Sequence, residues 1–237
     1  MSRFVLIHSP LVGPFTWSLI QGDMARRGLE VTLPSLSAAE HGVTRPPYWP
    51  EHARAVARAV EASGDDGPVV LVAHSGAGPV LPAIRQALPN PVTCYLFVDA
   101  GLPEDGRSRF DLFESEEAVR EFQAAGASGF LPVWTESDLR EEIPDDEVRA
   151  AFVAELSPVP VGLYEEPLPV FDGWPDAACG YLRFTPFYVE PAETARRLGW
   201  PVEEMAGGHF HMLVDPKGVT DRIVALAGGG GAAAGSS

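Results

Sequence analysis

The chain alternates between short apolar runs and amphipathic segments. The runs cover residues 4–7, 30–33, 69–73 and 92–98, and such short stretches, of which 69–73 is rich in β-branched residues, are typical of strands buried on both faces. Between them, apolar residues recur at three- and four-residue spacing and predict helices at 17–28, 51–62 and 80–88. Strands that alternate with helices predict right-handed βαβ units and a parallel sheet.

This alternation stops after residue 102. Residues 103–178 contain helical patterns at 114–125 and 145–156 and a capping-box pattern at Thr135, but no convincing buried strand. The stretch carries more than half of the acidic residues, which we interpret as solvated helix faces. Strand and helix patterns then resume, with strands at 181–185 and 201–205 and helices at 190–198 and 215–226.

These elements predict an α/β fold with a mostly parallel, doubly wound sheet of about six strands. We assign residues 1–102 and 179–227 to this core and residues 103–178 to a helical cap insertion. Residues 228–237 contain only Gly, Ala and Ser, and this composition predicts a disordered tail.

Composition narrows the function further. The net charge of −16 argues against nucleic acid and anionic membranes as partners. The two cysteines have neither disulfide-framework nor metal-site spacing, and no cofactor motif is complete. No signal-like start and no apolar run near the ~20 residues of a membrane span are present. We therefore expect a soluble cytoplasmic protein that acts on a small molecule without a cofactor; a homodimer is left open.

Ser75 is the main candidate nucleophile. It follows the apolar run 69–73 and precedes a helical pattern, which is the strand–turn–helix context of a nucleophile elbow. Ala73 and Ala77 occupy the two positions that must be small, so the strict G-x-S-x-G pattern fails while the looser one holds. The ordinary alternative is a serine that caps the following helix.

A serine nucleophile needs a base, and His209 is the best placed of the six histidines. It lies in a glycine-rich loop between the last predicted strand and the last helix, and loops at strand C-termini converge on the ligand site of a parallel sheet. His211 is the nearest rival, but its apolar neighbours favour packing. We expect His74 to point away from Ser75, and His41 and His52 to be structural or solvated.

These motifs, in this order, resemble the α/β-hydrolase family, and in particular its branch of plant esterases, hydroxynitrile lyases and methylketone synthases. The segments that carry the resemblance are the opening Phe4–His8 with Gly13 and Trp17, the elbow 73–77, and the histidine block 207–213 with Pro216. The insertion lies where this family places its helical cap. The resemblance is specific for the fold but says very little about the substrate.

The family's catalytic acid usually follows the strand that precedes the histidine strand, but no Asp occupies residues 181–190. Glu190 comes late in that stretch, where an acid also suits a helix start. Asp99, at the end of run 92–98, is the favoured candidate because some family members place their acid there. Its ordinary alternative is a turn carboxylate, and a dyad without an acid stays open.

The resemblance also implies two backbone N–H donors for an oxyanion. Gly76 supplies one, whereas the residue expected to supply the other is Pro10, which has no N–H. Leu11 substitutes if the loop is shifted. Ser9 occupies the place of a substrate-contacting hydroxyl in the lyase branch, and its ordinary alternative is a turn residue. The aromatic candidates for lining a pocket, each with core packing as its ordinary role, are Phe15, Tyr48, Trp49, Trp134 and Tyr164.

Three functions follow from these residues. The favoured one is a serine hydrolase of ester, thioester or lactone type for a small, mostly apolar carbonyl substrate. Ser75 attacks, His209 shuttles the proton and Asp99 orients His209. The second is a lyase or cyclase in which His209 is the acid–base and Ser75 positions the substrate, as Pro10 and the missing acid favour. The third is a ligand-binding pseudoenzyme.

Overall fold

The computed structural model describes residues 2–37, 45–113, 116–131 and 133–229. Six strands form one parallel sheet, as the sequence predicted. They are β1 (Arg3–Ile7), β2 (Val31–Thr32), β3 (Val69–His74), β4 (Val92–Val98), β7 (Ala178–Arg183) and β8 (Val202–Glu204). The spatial order is β2-β1-β3-β4-β7-β8, so β3 and β4 lie in the middle.

Helices cover both faces of this sheet, and further helices lie in the insertion. In chain order they are α1 (Ser18–Arg26), α2 (Trp49–Glu61), α3 (Leu81–Ala87), α4 (Glu116–Ala125), α5 (Asp146–Ala154), α6 (Gly162–Glu165), α7 (Val189–Arg197) and α8 (Pro216–Gly229). Short 3₁₀ segments precede or connect several of them. Among the described residues, no helix is both long enough and apolar enough to cross a membrane.

The core has two halves because successive strand residues point to opposite faces. Val5 and Ile7 of β1 face the cluster that contains α2, α3 and α7, whereas Phe4 and Leu6 face the cluster that contains α1 and α8. Every residue of β1 and β3 is buried, as expected for strands covered on both sides. This packing fixes the strand ends from which the candidate side chains project.

Two short strands in the insertion were missed by the sequence analysis. Phe130–Leu131 (β5) pairs antiparallel with Val159–Pro160 (β6). Strands of two residues carry no readable alternation, and Phe130 is half exposed, so no buried run marks them. The one-turn helix α6 follows β6, and its residues Leu163 and Tyr164 join a third apolar cluster inside the cap.

Several boundaries differ from the sequence expectations. Strand β7 begins at Ala178, inside the stretch assigned to the cap, and α8 continues to Gly229, two residues into the stretch expected to be disordered. The bonds of the expected capping box form between Thr135 and Asp138, but they close a turn rather than start a helix. His52, which was expected to be structural or solvated, is buried on α2, and His41 lies outside the described residues.

Candidate active site

Ser75 stands at a sharp turn between β3 and a 3₁₀ helix. Its φ of 56° lies in the left-handed region that a non-glycine residue rarely adopts. Ala73 and Ala77 on either side are fully buried, and a side chain on Gly78 would collide with the carbonyl oxygen of Gly101. The close approach of strand and turn therefore requires the small residues found here. This is the strained geometry predicted for the elbow.

The turn continues as a 3₁₀ helix over Ser75–Val80, and α3 begins only at Leu81. Pro79 lies inside this segment and has no N–H to donate to an α-helical hydrogen bond. The sequence predicted one continuous helix here. The structure has a 3₁₀ segment followed by an α-helix because Pro79 interrupts the α-helical hydrogen bonds. The 3₁₀ segment keeps Ser75 in its buried position at the C-terminal edge of the sheet.

Asp99 ends β4 with a φ of 44°, and its side chain is fully buried. One oxygen, Oδ1, accepts hydrogen bonds from the backbone N–H groups of Phe184 (2.8 Å) and Thr185 (3.0 Å). The other, Oδ2, accepts from the Thr185 hydroxyl at 2.9 Å and lies 2.8 Å from Nδ1 of His209. These bonds hold an ionised carboxylate in one orientation, toward the histidine.

His209 thus has its Nδ1 on Asp99. Because an ionised carboxylate only accepts hydrogen bonds, the proton of a neutral His209 sits on Nδ1 and leaves Nε2 free to accept. Glu190, the rival acid, is exposed in the first turn of α7. His211, the rival base, packs its ring against Phe184, with the ring centroids 5.5 Å apart. Of the two candidate acids, Asp99 is the one that the structure places on His209.

Ser75 contacts a residue that the sequence analysis missed. Its Oγ lies 3.3 Å from the hydroxyl of Tyr188, and no hydrogen bond joins Oγ to His209 in the described part of the chain. The Tyr188 ring stacks on the His209 ring, with centroids 5.5 Å apart and planes 15° apart. Burial raises the pKa of Tyr188, so its hydroxyl stays protonated at neutral pH. Tyr188 lies in the stretch 181–190, where no local pattern distinguishes a tyrosine that contacts Ser75.

His74 contacts both the backbone and the ring of His209. It is fully buried, its Nε2 lies 3.0 Å from the backbone carbonyl oxygen of His209, and the two ring centroids are 4.4 Å apart. A carbonyl oxygen only accepts, so Nε2 carries the proton. Burial, and then the neighbouring His209, hold the pKa of His74 well below its ordinary value. His74 is therefore a neutral anchor for the loop that carries the candidate base.

This depressed pKa makes a prediction about stability. Below about pH 6.5 the unfolded chain protonates His74 while the folded chain does not, so acid favours unfolding. Between pH 6.5 and 5 the free energy of unfolding of the wild type is expected to fall by up to about 1.4 kcal/mol per pH unit more than that of His74→Gln. Urea titrations of both proteins across this range measure the difference. Equal slopes would show that His74 is not the group that links pH to stability.

The oxyanion side of Ser75 is built differently from the expectation. Gly76 and Leu11 border the cavity described below, but the N–H of Leu11 is directed at the Ser9 hydroxyl, 3.4 Å away. Ser9 itself is buried and is not among the residues that line the cavity, so its expected contact with substrate stays a prediction. Pro10 has no N–H, which leaves Gly76 as the one clear backbone donor beside Ser75 in the described chain.

A cavity of about 500 Å³ opens onto Ser75 and His209. Its wall is mainly apolar, and about half of the residues that line it belong to the insertion. Two of the five aromatic candidates, Trp134 and Tyr164, line it, whereas Phe15, Tyr48 and Trp49 do not. The side chains of the wall that come from the insertion include Leu112, Phe113, Phe122, Trp134 and Tyr164. A cavity of this size and character suits a small apolar molecule.

The chain is similar to known proteins both in its sequence pattern and in its structure. A family model described as "Alpha/beta hydrolase family" matches residues 4–222. Comparison with curated protein sequences gives no match. Three similar solved structures are those of an extracellular alpha/beta-hydrolase from a Paenibacillus species, a pyrethroid hydrolase from Sphingobium faniae JZ-2, and tomato methylketone synthase I with 2-tridecanone.

Their likeness to this chain is extensive in structure and low in sequence. The Paenibacillus hydrolase is 20% identical over 95% of this chain and 99% of its own, with a TM-score of 0.77. The pyrethroid hydrolase is 17% identical over 96% of this chain and 97% of its own, with a TM-score of 0.70. The methylketone synthase is 15% identical over 97% of this chain and 98% of its own, with a TM-score of 0.66. At these identities the likeness shows a shared fold.

Proposed function

Because the chain belongs to the alpha/beta hydrolase family, we propose that it is a serine hydrolase of ester, thioester or lactone type. The family resemblance seen in the sequence motifs is thereby confirmed, and the reaction is our proposal. The single observation that carries it is the bond of 2.8 Å between Asp99 and His209, formed beside a strained Ser75 at the mouth of an apolar cavity. An oriented histidine next to a serine held in an elbow is the arrangement that activates a hydroxyl.

In this proposal Ser75 Oγ attacks the substrate's carbonyl carbon while Nε2 of His209 takes the hydroxyl proton. Asp99 stabilises the imidazolium that forms, and the Gly76 N–H donates to the oxyanion. His209 then returns the proton to the leaving alcohol or thiol, and a water molecule hydrolyses the acyl-serine by the same steps. The Ser75 hydroxyl turns from Tyr188 toward His209 for attack, since catalytic hydrogen bonds often tighten only with substrate bound.

The cavity sets the substrate class in this proposal. About 500 Å³ of mainly apolar space accommodates an acyl or alkyl group of modest size, and the aromatic wall favours unbranched or ring-containing apolar groups. We therefore propose a small apolar ester, thioester or lactone. The small-molecule partner and the cytoplasmic location expected from the sequence both stay predictions.

A second candidate is favoured by two specific observations. Pro10 removes a backbone donor, and the Ser75 hydroxyl bonds to Tyr188 rather than to His209. An enzyme that needs no acyl-serine, such as a lyase or cyclase, would use His209 as acid–base and Ser75 and Tyr188 as substrate-binding hydroxyls. This reading keeps the same side chains and changes only which atom reacts.

Fluorophosphonate labelling separates the two candidates. We expect the wild type to gain the mass of one adduct and the peptide that contains Ser75 to carry it. The Ser75→Ala protein is expected to gain none. The matched control is Ser128→Ala, which changes an exposed serine of the insertion and is expected to label like the wild type. A wild type that stays unlabelled after long incubation, yet converts a substrate without an ester-type bond, would reject the hydrolase proposal in favour of the second candidate.

A further inference from the structure

The site has room for a second oxyanion donor that is not a backbone group. A Cβ atom on Gly76 would lie 2.9 Å from the Tyr164 hydroxyl and 3.2 Å from the Ser9 hydroxyl. Any side chain at position 76 would therefore occupy the space next to these two hydroxyls. Tyr164 lines the cavity, whereas Ser9 lies behind it. The hydroxyl that can reach a bound substrate next to Gly76 is that of Tyr164.

The Ser9 and Tyr164 hydroxyls both lie next to Gly76, and Ser9 favours the ionised form of Tyr164, which opposes the burial that raises the pKa of Tyr164. The Ser9 oxygen faces the Leu11 N–H at 3.4 Å, so it is an acceptor on that side. Its own proton is then free to point at the Tyr164 oxygen, which leaves the phenolic proton of Tyr164 to donate elsewhere. Burial raises the pKa of Tyr164, although the nearby Arg109 opposes the shift. Tyr164 consequently keeps its proton at neutral pH and remains a donor.

Arg109 joins the cap to the turn after Ser75. Its side chain is 2% exposed, its Nε donates to the carbonyl oxygen of Gly76 at 2.8 Å, and its Nη1 donates to the carbonyl oxygen of Leu163 at 2.8 Å. Leu163 is the neighbour of Tyr164, and the guanidinium carbon lies 5.7 Å from the centroid of the Tyr164 ring. One buried cation thus fixes Gly76 and Tyr164 relative to each other.

The charge of Arg109 is only partly compensated. Glu166 is its nearest carboxylate, with 3.6 Å between Nη1 and Oε1, and Nη2 has no hydrogen-bond partner in the described chain. A buried positive charge next to Gly76 favours negative charge that develops there. In the proposed reaction the oxyanion forms next to Gly76, so the charge of Arg109 would stabilise it.

We propose that the Tyr164 hydroxyl is the second oxyanion donor of this site, in place of the N–H that Pro10 lacks. Arg109 is its positioning residue, because it clamps Gly76 to the segment that carries Tyr164. This inference rests on the proposed hydrolase function. Tyr164 donates a hydrogen bond without giving up its proton: the negative charge arises from attack by Ser75, whose proton goes to His209.

Tyr164→Phe tests the donor while keeping the ring that packs in the cap. With p-nitrophenyl butyrate as substrate, we expect kcat to fall about 100-fold and KM to change less than twofold, because a donor of this kind acts on the transition state. The affinity for an alkyl trifluoromethyl ketone, which forms a tetrahedral adduct with an oxyanion, is expected to fall by a similar factor. The matched control is Tyr48→Phe, the same change in the same apolar cluster but away from the cavity. We expect it to keep the wild-type kcat.

Arg109→Lys gives a second measure of the same proposal. Lysine keeps a positive charge but not the two divergent donors that reach Gly76 and Leu163, so we expect a smaller fall in kcat than in Arg109→Met, again with KM nearly unchanged. Circular dichroism and thermal unfolding identify any variant that fails to fold, and Tyr164→Phe alone then decides.

A Tyr164→Phe enzyme with kcat within threefold of the wild type would overturn the inference, as would a loss that falls on KM or that Tyr48→Phe shares. These outcomes leave the hydrolase proposal standing as long as the wild type labels at Ser75 and hydrolyses the ester. A wild type that does neither would overturn both proposals.

Discussion

Replacement of His209 by glutamine is expected to lower kcat for ester hydrolysis on the order of 10⁶-fold, the size of effect seen when a triad's base is removed. Glutamine fits between Tyr188 and His74, whose rings lie 5.5 Å and 4.4 Å from that of His209, so the loop keeps its packing. It cannot take the Ser75 proton, and the serine remains a hydroxyl of ordinary, weak nucleophilicity. Steady-state kinetics with p-nitrophenyl butyrate measure the loss.

The matched control for this change is His211→Gln. His211 lies two residues away in the same loop region, but its ring packs on Phe184 instead of facing Ser75. We expect this variant to keep kcat within a few-fold of the wild type. If His211→Gln instead abolishes turnover while His209→Gln retains it, the assignment of the base would be wrong, and so would the role given to Asp99.

The sequence predicts features whose pattern lies within a few neighbouring residues, and it misses features that depend on contacts between distant residues. The central strands are readable because runs rich in apolar and β-branched residues record burial on both faces, and β1, β3 and β4 lie where those runs lie. The elbow is readable because its small neighbours are within two residues of Ser75. By contrast, β5 and β6 are two residues long, and their pairing joins positions about thirty residues apart.

The missed side chains share a different cause. Tyr188 meets Ser75 across 113 positions of sequence, and Arg109 reaches the Gly76 carbonyl across 33. An isolated tyrosine near the end of a core strand, or an isolated arginine in the insertion, carries no local signature, because its contact depends on how distant parts of the chain pack together. Pro10 was the one clue in the sequence: a missing donor indicates that another group has to take its place, but not which one. Only the packed cap brings Tyr164 to that position.

Asp99→Asn is expected to lower kcat on the order of 10⁴-fold, as the same change does in other serine triads. Asparagine is nearly the same size, tolerates the left-handed backbone that Asp99 adopts at φ 44°, and keeps an oxygen for the N–H groups of Phe184 and Thr185. Its amide group, however, donates toward Nδ1 of His209. The histidine then carries its proton on Nε2, where it cannot accept the proton of Ser75.

Because the backbone and the volume are preserved, the loss in Asp99→Asn reports the orientation and charge of the acid rather than the folding of β4. We expect its thermal unfolding to stay near that of the wild type and its KM to change little, with the whole effect on kcat. Glu190→Gln is the control, since Glu190 is exposed in the first turn of α7. Full activity in Asp99→Asn together with a large loss in Glu190→Gln would transfer the acid to Glu190. Full activity in both would mean that Ser75 and His209 work as a dyad, and that the four hydrogen bonds of Asp99 only anchor the loop after β7 and hold the histidine ring in place.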